Sequence, residues 1–544
     1  MKWQRTVPLL LSLAVAGGVT AGCSESASSG KTDGKGAAAS ASPKATDNKA
    51  AAVQYPAALT YWVSMDSEAK AVMQNYGEME LYKQLEKITG TKVTFQHPSG
   101  ATVAQQTEQF NLLLASGRDK LPDVLYWNWQ SVPKGPDNAI KEKTIIRLNE
   151  LIDQNAPNLS KYLKEHPEMK KQITSDEGNI FVMPYLNSDY YSQVNLGPII
   201  RKDWLDKLGL QLPATIDDWH NVLTAIKTKD PNGNGKNDEI PLLPSYWDAW
   251  SSAWGVGTSF YQENGQVKYG PIQPAFKDFL ATMRKWYDEG LIDKDYAATD
   301  GKLLDSKMSG DTMGTIVGYV ASGLGKYLTM VQPTNPKFDL AGAPFPVLKA
   351  GDKNAFGMAS GAFAGYGAAI TSANKHPEET VRWLDYAYGP EGHLLYNFGV
   401  EGASYKIVNG NPIFTDDVLK NGKLSVTQAL SKYTISPSSG PFVYNKGVME
   451  QVTSLPQQVN AKKTWMQATG ERIMPGVTPT TDESSKLATI MNDVNTYYKE
   501  MINKFVMGVE PIDKFESYVK TIQGMGIDDA VKIEQAALDR FNKR

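Results

Sequence analysis

Apolar positions along this chain switch repeatedly between short continuous runs and a three-to-four-residue period, the pattern of strands alternating with helices. Leu59–Ser64 (LTYWVS) predicts a strand. Val72, Tyr76 and Met79, then Leu81, Leu85 and Ile88, recur at helical spacing, and Gly90 closes that helix. Lys92–Gln96 predicts a second strand, Val103–Ser116 a helix ending at Gly117, and Asp123–Trp127 a third strand. Strand–helix–strand–helix–strand implies parallel pairing in an α/β sheet. A second series starts near Tyr190. Thr215 with Asp218 forms a capping box for a helix Ile216–Lys227, and Gly314–Val320 reads as another buried strand. Phe338–Pro346 and Gly365–Thr371 follow as strands, and Pro377–Tyr388 as a helix stopped at Gly389-Pro390. Helical periodicity dominates the last hundred residues, through Leu487–Phe505 and Ala530–Phe541.

Before the first strand the pattern is different. Lys2 and Arg5, an apolar stretch from Val7 to Val19 and the small residues Thr20-Ala21-Gly22 make a secretory signal too short to span a membrane. Cys23, the only cysteine in 544 residues, follows at once. A thiol at that place is what a bacterial lipoprotein presents for acylation, although Thr20 stands where leucine is usual. The alternative is an ordinary signal with an incidental cysteine. Two acyl chains on Cys23 would hold the protein on the outer face of the cell membrane. Residues 23–56 are small and polar with almost nothing to bury, so they predict a flexible tether. No cysteine is left for a disulfide, and the formal charge of -3 is too small to imply nucleic acid as a partner. A body of this length exceeds one comfortable core, so at least two lobes are expected.

One loop is spaced for a metal. In DPNGNGKNDE, Asp230, Asn232, Asn234 and Asp238 fall at relative positions 1, 3, 5 and 9, with Gly235 at position 6 and the Lys236 carbonyl available at 7. This is the ligand spacing of an EF-hand-like calcium loop. Position 12 is Pro241, so Glu239 would have to close the shell. The alternative is a polar double Asn-Gly turn without metal.

Aromatic residues favour 26 Tyr and 12 Trp over 16 Phe, and several cluster where strands end. Trp62, Trp127, Trp129, Tyr190, Tyr246, Trp247, Trp250 and Tyr319 are candidates to stack on a sugar ring in a cleft beyond the strand ends. For any single tryptophan, core packing is the competing reading. The five histidines lack ligand spacing, no G-x-S-x-G elbow occurs, and Gly325-Lys326 is followed by Tyr327, so it is no phosphate loop. No catalytic residue is identified. A glycoside hydrolase or lyase would need two carboxylates across a cleft, about 5–9.5 Å apart, which sequence leaves open.

Several segments resemble the family 1 extracellular solute-binding proteins of bacterial ABC importers, which serve sugars and oligosaccharides. Phe110–Asp123 (FNLLLASGRDKLPD), Gly197–Lys227 and Ala369–Gly402, ending NFGVEG, carry the likeness. The tail FVMGVEPIDKFESYVKTIQGMGIDDAVKIEQAALDRF, the size and the anchor resemble LipO-type lipoproteins, and DPNGNGKNDEIP is similar to the calcium loop of alginate-oligosaccharide-binding members. The resemblance implies a two-lobed periplasmic-binding-protein-like α/β fold with crossing hinge segments, divided as 57–188 plus 345–402 and 189–344 plus 403–544, the latter with a largely helical extension. It implies an oligosaccharide ligand, ABC permease transmembrane subunits as partners, structural calcium, a monomer and no enzymatic activity. Trp127 and Tyr319 fall where the family places cleft aromatics, with Tyr246 or Trp247 beside them. The family's uronate-specific basic residues find no clear match, which leaves an acidic ligand an open question. A peptide-binding lipoprotein of the same architecture is the other reading.

Overall fold

The computed structural model describes residues 53–100, 102–437 and 439–544. The expected signal 1–22, Cys23 and all but the last residues of the tether 23–56 lie outside the described residues. Among the described residues no helix is long and apolar enough to cross a membrane.

The strands, in chain order, are β1 (Ala58–Trp62), β2 (Lys92–Gln96), β3 (Val124–Asn128), β4 (Met183–Pro184), β5 (Leu196–Arg201), β6 (Ile240–Leu243), β7 (Phe260–Glu263), β8 (Gln266–Tyr269), β9 (Met313–Tyr319), β10 (Leu340–Gly342), β11 (Tyr366–Ile370), β12 (Tyr405–Val408) and β13 (Asn411–Phe414). They form two principal sheets, β2-β1-β3-β11-β4 and β10-β5-β9-β6, one at the heart of each lobe, and two hairpins, β7-β8 and β12-β13.

The first sheet grows from the local pattern. β1 pairs parallel with both β2 and β3, as the strand–helix alternation predicts. Asp123 pins β1 to β3, accepting from the Thr60 backbone N–H (2.8 Å) and hydroxyl (2.7 Å). β11, which returns late in the chain, runs antiparallel to β3 and β4. The expected helix through Val72–Ile88 is broken. Only Glu80–Thr89 is α-helical, burying Leu81, Tyr82 and Leu85 and ending at Gly90 in the left-handed region. The break is Asn75, whose side chain takes the Gly77 N–H (2.8 Å) while Glu78 reaches back to the Asn75 N–H (3.1 Å). An asparagine that bonds its own backbone in this way competes with a continuing helix.

In the second lobe β5 is buried at every residue and β9 at its first five, because helices cover both faces of the sheet. The capping box of Thr215 and Asp218 starts the helix Ile216–Thr228 as expected. The predicted strand 338–346 shrinks to β10, antiparallel to β5. Gly389-Pro390 ends one helical stretch and also starts the next, with Pro390 at the first position of Pro390–Phe398.

Three segments cross between the lobes side by side. Leu186 exchanges backbone bonds with Phe442 and Tyr444, Asn187 N–H donates to Ala362 C=O, and Ser360 N–H donates to Gln193 C=O. Beside them the buried Lys462 ammonium donates to the Val194 carbonyl (2.6 Å) over the Tyr191 ring. The tail from residue 403 divides its contacts rather than joining the second lobe as a block. Tyr405 and Phe414 pack on Phe398, and the Tyr126 hydroxyl donates to Gly440 C=O, so 405–440 packs with first-lobe elements. The helix Thr481–Met507 touches both lobes. Its first residue donates twice to Glu177 (2.7 Å each), while Phe276 packs on Tyr498 and the Tyr296 hydroxyl donates to Asn503 near its end. Arg540 of the last helix and Arg544 just beyond its end pair with Asp176 of the first lobe.

Candidate functional site

Where β1 ends, Asp66 turns the chain. Its Oδ1 accepts the Glu68 and Ala69 N–H groups at 3.0 Å, and its Oδ2 accepts the Tyr76 hydroxyl at 3.1 Å. This cap presents Glu68 to a cavity of about 370 Å³. The opposite wall comes from the second lobe, where β9 runs out at Tyr319 into the turn Val320–Gly325. A Cβ at Gly325 would meet Gln458 Nε2 at 2.3 Å and displace that amide, which donates to the Val320 carbonyl at 2.9 Å. Tyr396, Phe442 and Tyr444 floor the cavity, and Thr427, Ser431, Thr434 and Ser439 line it with hydroxyls.

Glu68 is the electrostatic centre. Burial raises its carboxyl above the ordinary value, Lys326 opposes that, and Asp66 and Asp305 add to it. Lys326 itself is bound to both oxygens of Asp305 (3.0 and 2.9 Å), which also accepts the Tyr327 hydroxyl at 3.0 Å. At the second lobe's rim the phenols of Tyr246 and Tyr319 adjoin, 38% and 46% exposed. Burial and the Tyr246 phenol push Tyr319 up to about 12. Across the gap Tyr319 acts on Tyr366 of β11, whose phenol is also held by Asn128 at the end of β3.

Of the eight aromatics singled out in the sequence, only Tyr319 lines the cavity. Trp129 and Trp250 are corrected outright, because both are wholly buried and have no face to offer a ligand. Trp129 stands edge-on to Phe110, and Trp250 is clasped between Trp219 (5.0 Å) and Trp286 (6.1 Å). Trp62 retains 6% exposure beneath Trp127, which lies half-buried and stacked on Phe110 at 4.7 Å. Trp247 is wedged against Phe279 and Tyr296. Tyr190 is exposed at the start of a short helix in a crossing segment. Sequence reasoning missed Asp66 and Glu68, although an Asp-Ser-Glu cap directly after a strand is a local signal for a strand-end site.

The oxygen-rich loop is arranged around Asp230, which adopts a φ of 45°. Its carboxylate takes the N–H groups of Gly233 (2.9 Å), Asn234 (3.1 Å) and Gly235 (3.0 Å). Asn232 and Asn234 bond the next amides of the turn, and the Asn234 amide nitrogen donates to Asp238 at 3.1 Å. Lys207 donates to the Pro231 carbonyl at 2.8 Å, bracing the loop from outside. Glu239 is 1% exposed, and neither of its carboxylate oxygens has a hydrogen-bond partner. Burial raises its carboxyl, the nearby backbone N–H groups of Glu239 and Asn232 oppose that, and the charges of Asp230 and Asp238 add to the rise. Among the described residues no three His, Cys, Asp or Glu side chains suffice alone as a metal group, so a cation here would also draw on the Asn232 and Asn234 oxygens and the Lys236 carbonyl. An orphaned buried carboxylate beside an all-oxygen donor set fits a hard divalent cation such as calcium.

The chain matches the family model of the bacterial extracellular solute-binding proteins over residues 67–393. It is 27% identical over 495 residues to the fructooligosaccharide ABC transporter substrate-binding protein FusA of Streptococcus pneumoniae, covering 85% of this chain and 87% of that protein. It is 27% identical over 379 residues to lipoprotein LipO of Bacillus subtilis, covering 65% of this chain and 69% of that one. Its fold overlays the alginate-binding protein AlgQ2, solved without calcium ion, with a TM-score of 0.76 at 29% identity, covering 90% of this chain and 99% of AlgQ2. It also overlays FusA in complex with kestose, with a TM-score of 0.73 at 25% identity, covering 89% and 99% respectively. The cleft between two sheets joined by crossing segments is thus the two-lobed architecture of these binding proteins. The chain belongs to the bacterial extracellular solute-binding proteins.

Proposed function

We propose that this protein is the lipid-anchored receptor of an ABC importer, capturing an oligosaccharide between its lobes and presenting it to the membrane permease. The observation that carries this reading is the origin of the cavity walls: Asp66–Glu68 from one lobe, Tyr319–Ser322 from the other. A ligand touching both walls favours the state in which they are close, so it drives hinge closure, the motion for which periplasmic binding proteins are the standing example. Phenol faces supply apolar platforms for pyranose or furanose C–H groups, and the serine and threonine hydroxyls exchange hydrogen bonds with the sugar. FusA, named for fructooligosaccharides, and alginate-binding AlgQ2 support the ligand class. LipO supports acylation at Cys23 and a place on the outer face of the membrane.

The Asp230–Glu239 loop holds calcium in this reading, with Asp230, Asn232, Asn234, Lys236, Asp238 and Glu239 as donors. The ion supplies positive charge where Glu239 has no partner, and the loop's own turns present the remaining oxygens. The protein acts as a monomer and transforms nothing. Isothermal titration of the full chain against oligosaccharide and oligopeptide panels tests the proposal. Saturable binding of an unmodified oligosaccharide is expected. Tight peptide binding with silence on every glycan, or turnover of a polysaccharide, overturns it.

A further inference from the structure

We infer that the cleft is built for an uncharged oligosaccharide and that Glu68 is the side chain that turns uronates away. This rests on the reading of the cavity as the oligosaccharide site. The described residues lining it include two carboxylates, Asp66 and Glu68, and no lysine or arginine. Lys326, the cation that acts on Glu68, is drawn to both Asp305 oxygens and is not among the residues that line the cavity. A uronate carboxylate entering here would be stripped of water, left without a counter-ion and placed beside like charge.

A neutral sugar meets the opposite situation. Asp66 is fully engaged as a helix cap and by Tyr76, whereas Glu68 has only long contacts, with Ser67 at 3.4 Å and Thr427 at 3.5 Å. An ionised carboxylate is an acceptor with about four lone-pair sites, and sugar hydroxyls are donors. Such charge-assisted bonds are roughly twice as strong as neutral ones. Around it Thr427, Ser431, Thr434 and Ser439 give and accept in turn, while Tyr319 and Tyr444 offer apolar faces. The lining is therefore an acceptor at its centre, hydroxyls about it and rings behind.

Calorimetric titration of the calcium-loaded full chain with neutral and uronate oligosaccharides of equal length tests this. Wild type is expected to prefer the neutral series by about 100-fold or more, the cost of an unpaired buried charge. Glu68→Gln keeps the volume and removes the charge. It is expected to weaken neutral binding and tighten uronate binding, narrowing the preference by about 10-fold. The wild-type comparison stands even if that variant folds poorly. Equal or tighter uronate binding by wild type overturns the inference and leaves the oligosaccharide reading intact. Binding of peptides and no glycan overturns both.

Discussion

Around Glu68 stand two more carboxylates, Asp66 and Asp305, and an ammonium that the fold supplies, Lys326, paired with Asp305 and acting on Glu68. Around Glu239, three carboxylates (Asp230, Asp238 and Glu239) form no ion pair with any lysine or arginine among the described residues; Lys207 reaches the loop but bonds backbone carbonyls, and Lys236 acts on Asp238 only at a distance. Both places concentrate acid around a glutamate, half-buried at Glu68 and fully buried at Glu239, yet they imply opposite guests. Where the protein brings its own cation, that cation is held on Asp305, and Glu68 is left as an acceptor that suits neutral hydroxyls. Where it brings none, the orphaned carboxylate calls for a cation from outside. The difference lies in one lysine, not in the number of acids.

The largest expected effect separates the two clusters directly. Chelating divalent ions should lower stability by about 3 kcal/mol from a level set at a hundredfold excess of calcium over its dissociation constant. Glu239→Gln should abolish that calcium response while making the ion-free protein about 1 kcal/mol more stable, since an unpartnered buried charge is gone. Glu68→Gln should leave the calcium response untouched. Thermal melts with and without chelator read all three.

A smaller effect comes from releasing Lys326. Asp305→Asn removes its partner, so the ammonium should turn toward Glu68 and the cleft, raising uronate affinity by about 10-fold. If uronate binding is unchanged, Asp305 is not what holds Lys326 away from the cleft. The smallest effect is in pH. Glu68 titrates above the ordinary value of 4.5 because of burial, with Asp66, Asp305 and Lys326 as the charges facing it. A raised carboxyl is a cost while charged, and that cost falls as pH drops through the raised value. Uronate affinity of wild type should therefore rise a few-fold on acidification over that window, and Glu68→Gln should show no such slope.

Much of the fold was legible because the signals were local. β2 lies where its apolar run places it, Thr215 caps its helix, and Gly90 ends another. The antiparallel return of β11 was not legible, since its pairing with β3 joins residues about 240 positions apart and no local pattern encodes direction. The oxygen-rich loop was legible as a loop because its polar side chains lie within ten residues. What makes Glu239 an orphan is burial by the rest of the lobe, which spacing does not record. Trp129 and Trp250 were misplaced among the cleft aromatics for a related reason. Trp250 and Tyr246 sit four residues apart in one cluster, and only the packing of Trp219 and Trp286 sends the indole inward and leaves the phenol at the rim. Glu68 is unremarkable locally. It becomes a site only when residues 319–322 and 427–439 are brought opposite it.

A crystal structure of the full chain with a bound neutral oligosaccharide is the most direct test. The account predicts sugar hydroxyls on the Glu68 carboxylate, a ring against Tyr319, and both lobes in contact with the same ligand. Sugar bound elsewhere, such as the cavity of about 430 Å³ bordered by Gln130 and Glu534, or held by one lobe alone, would contradict it.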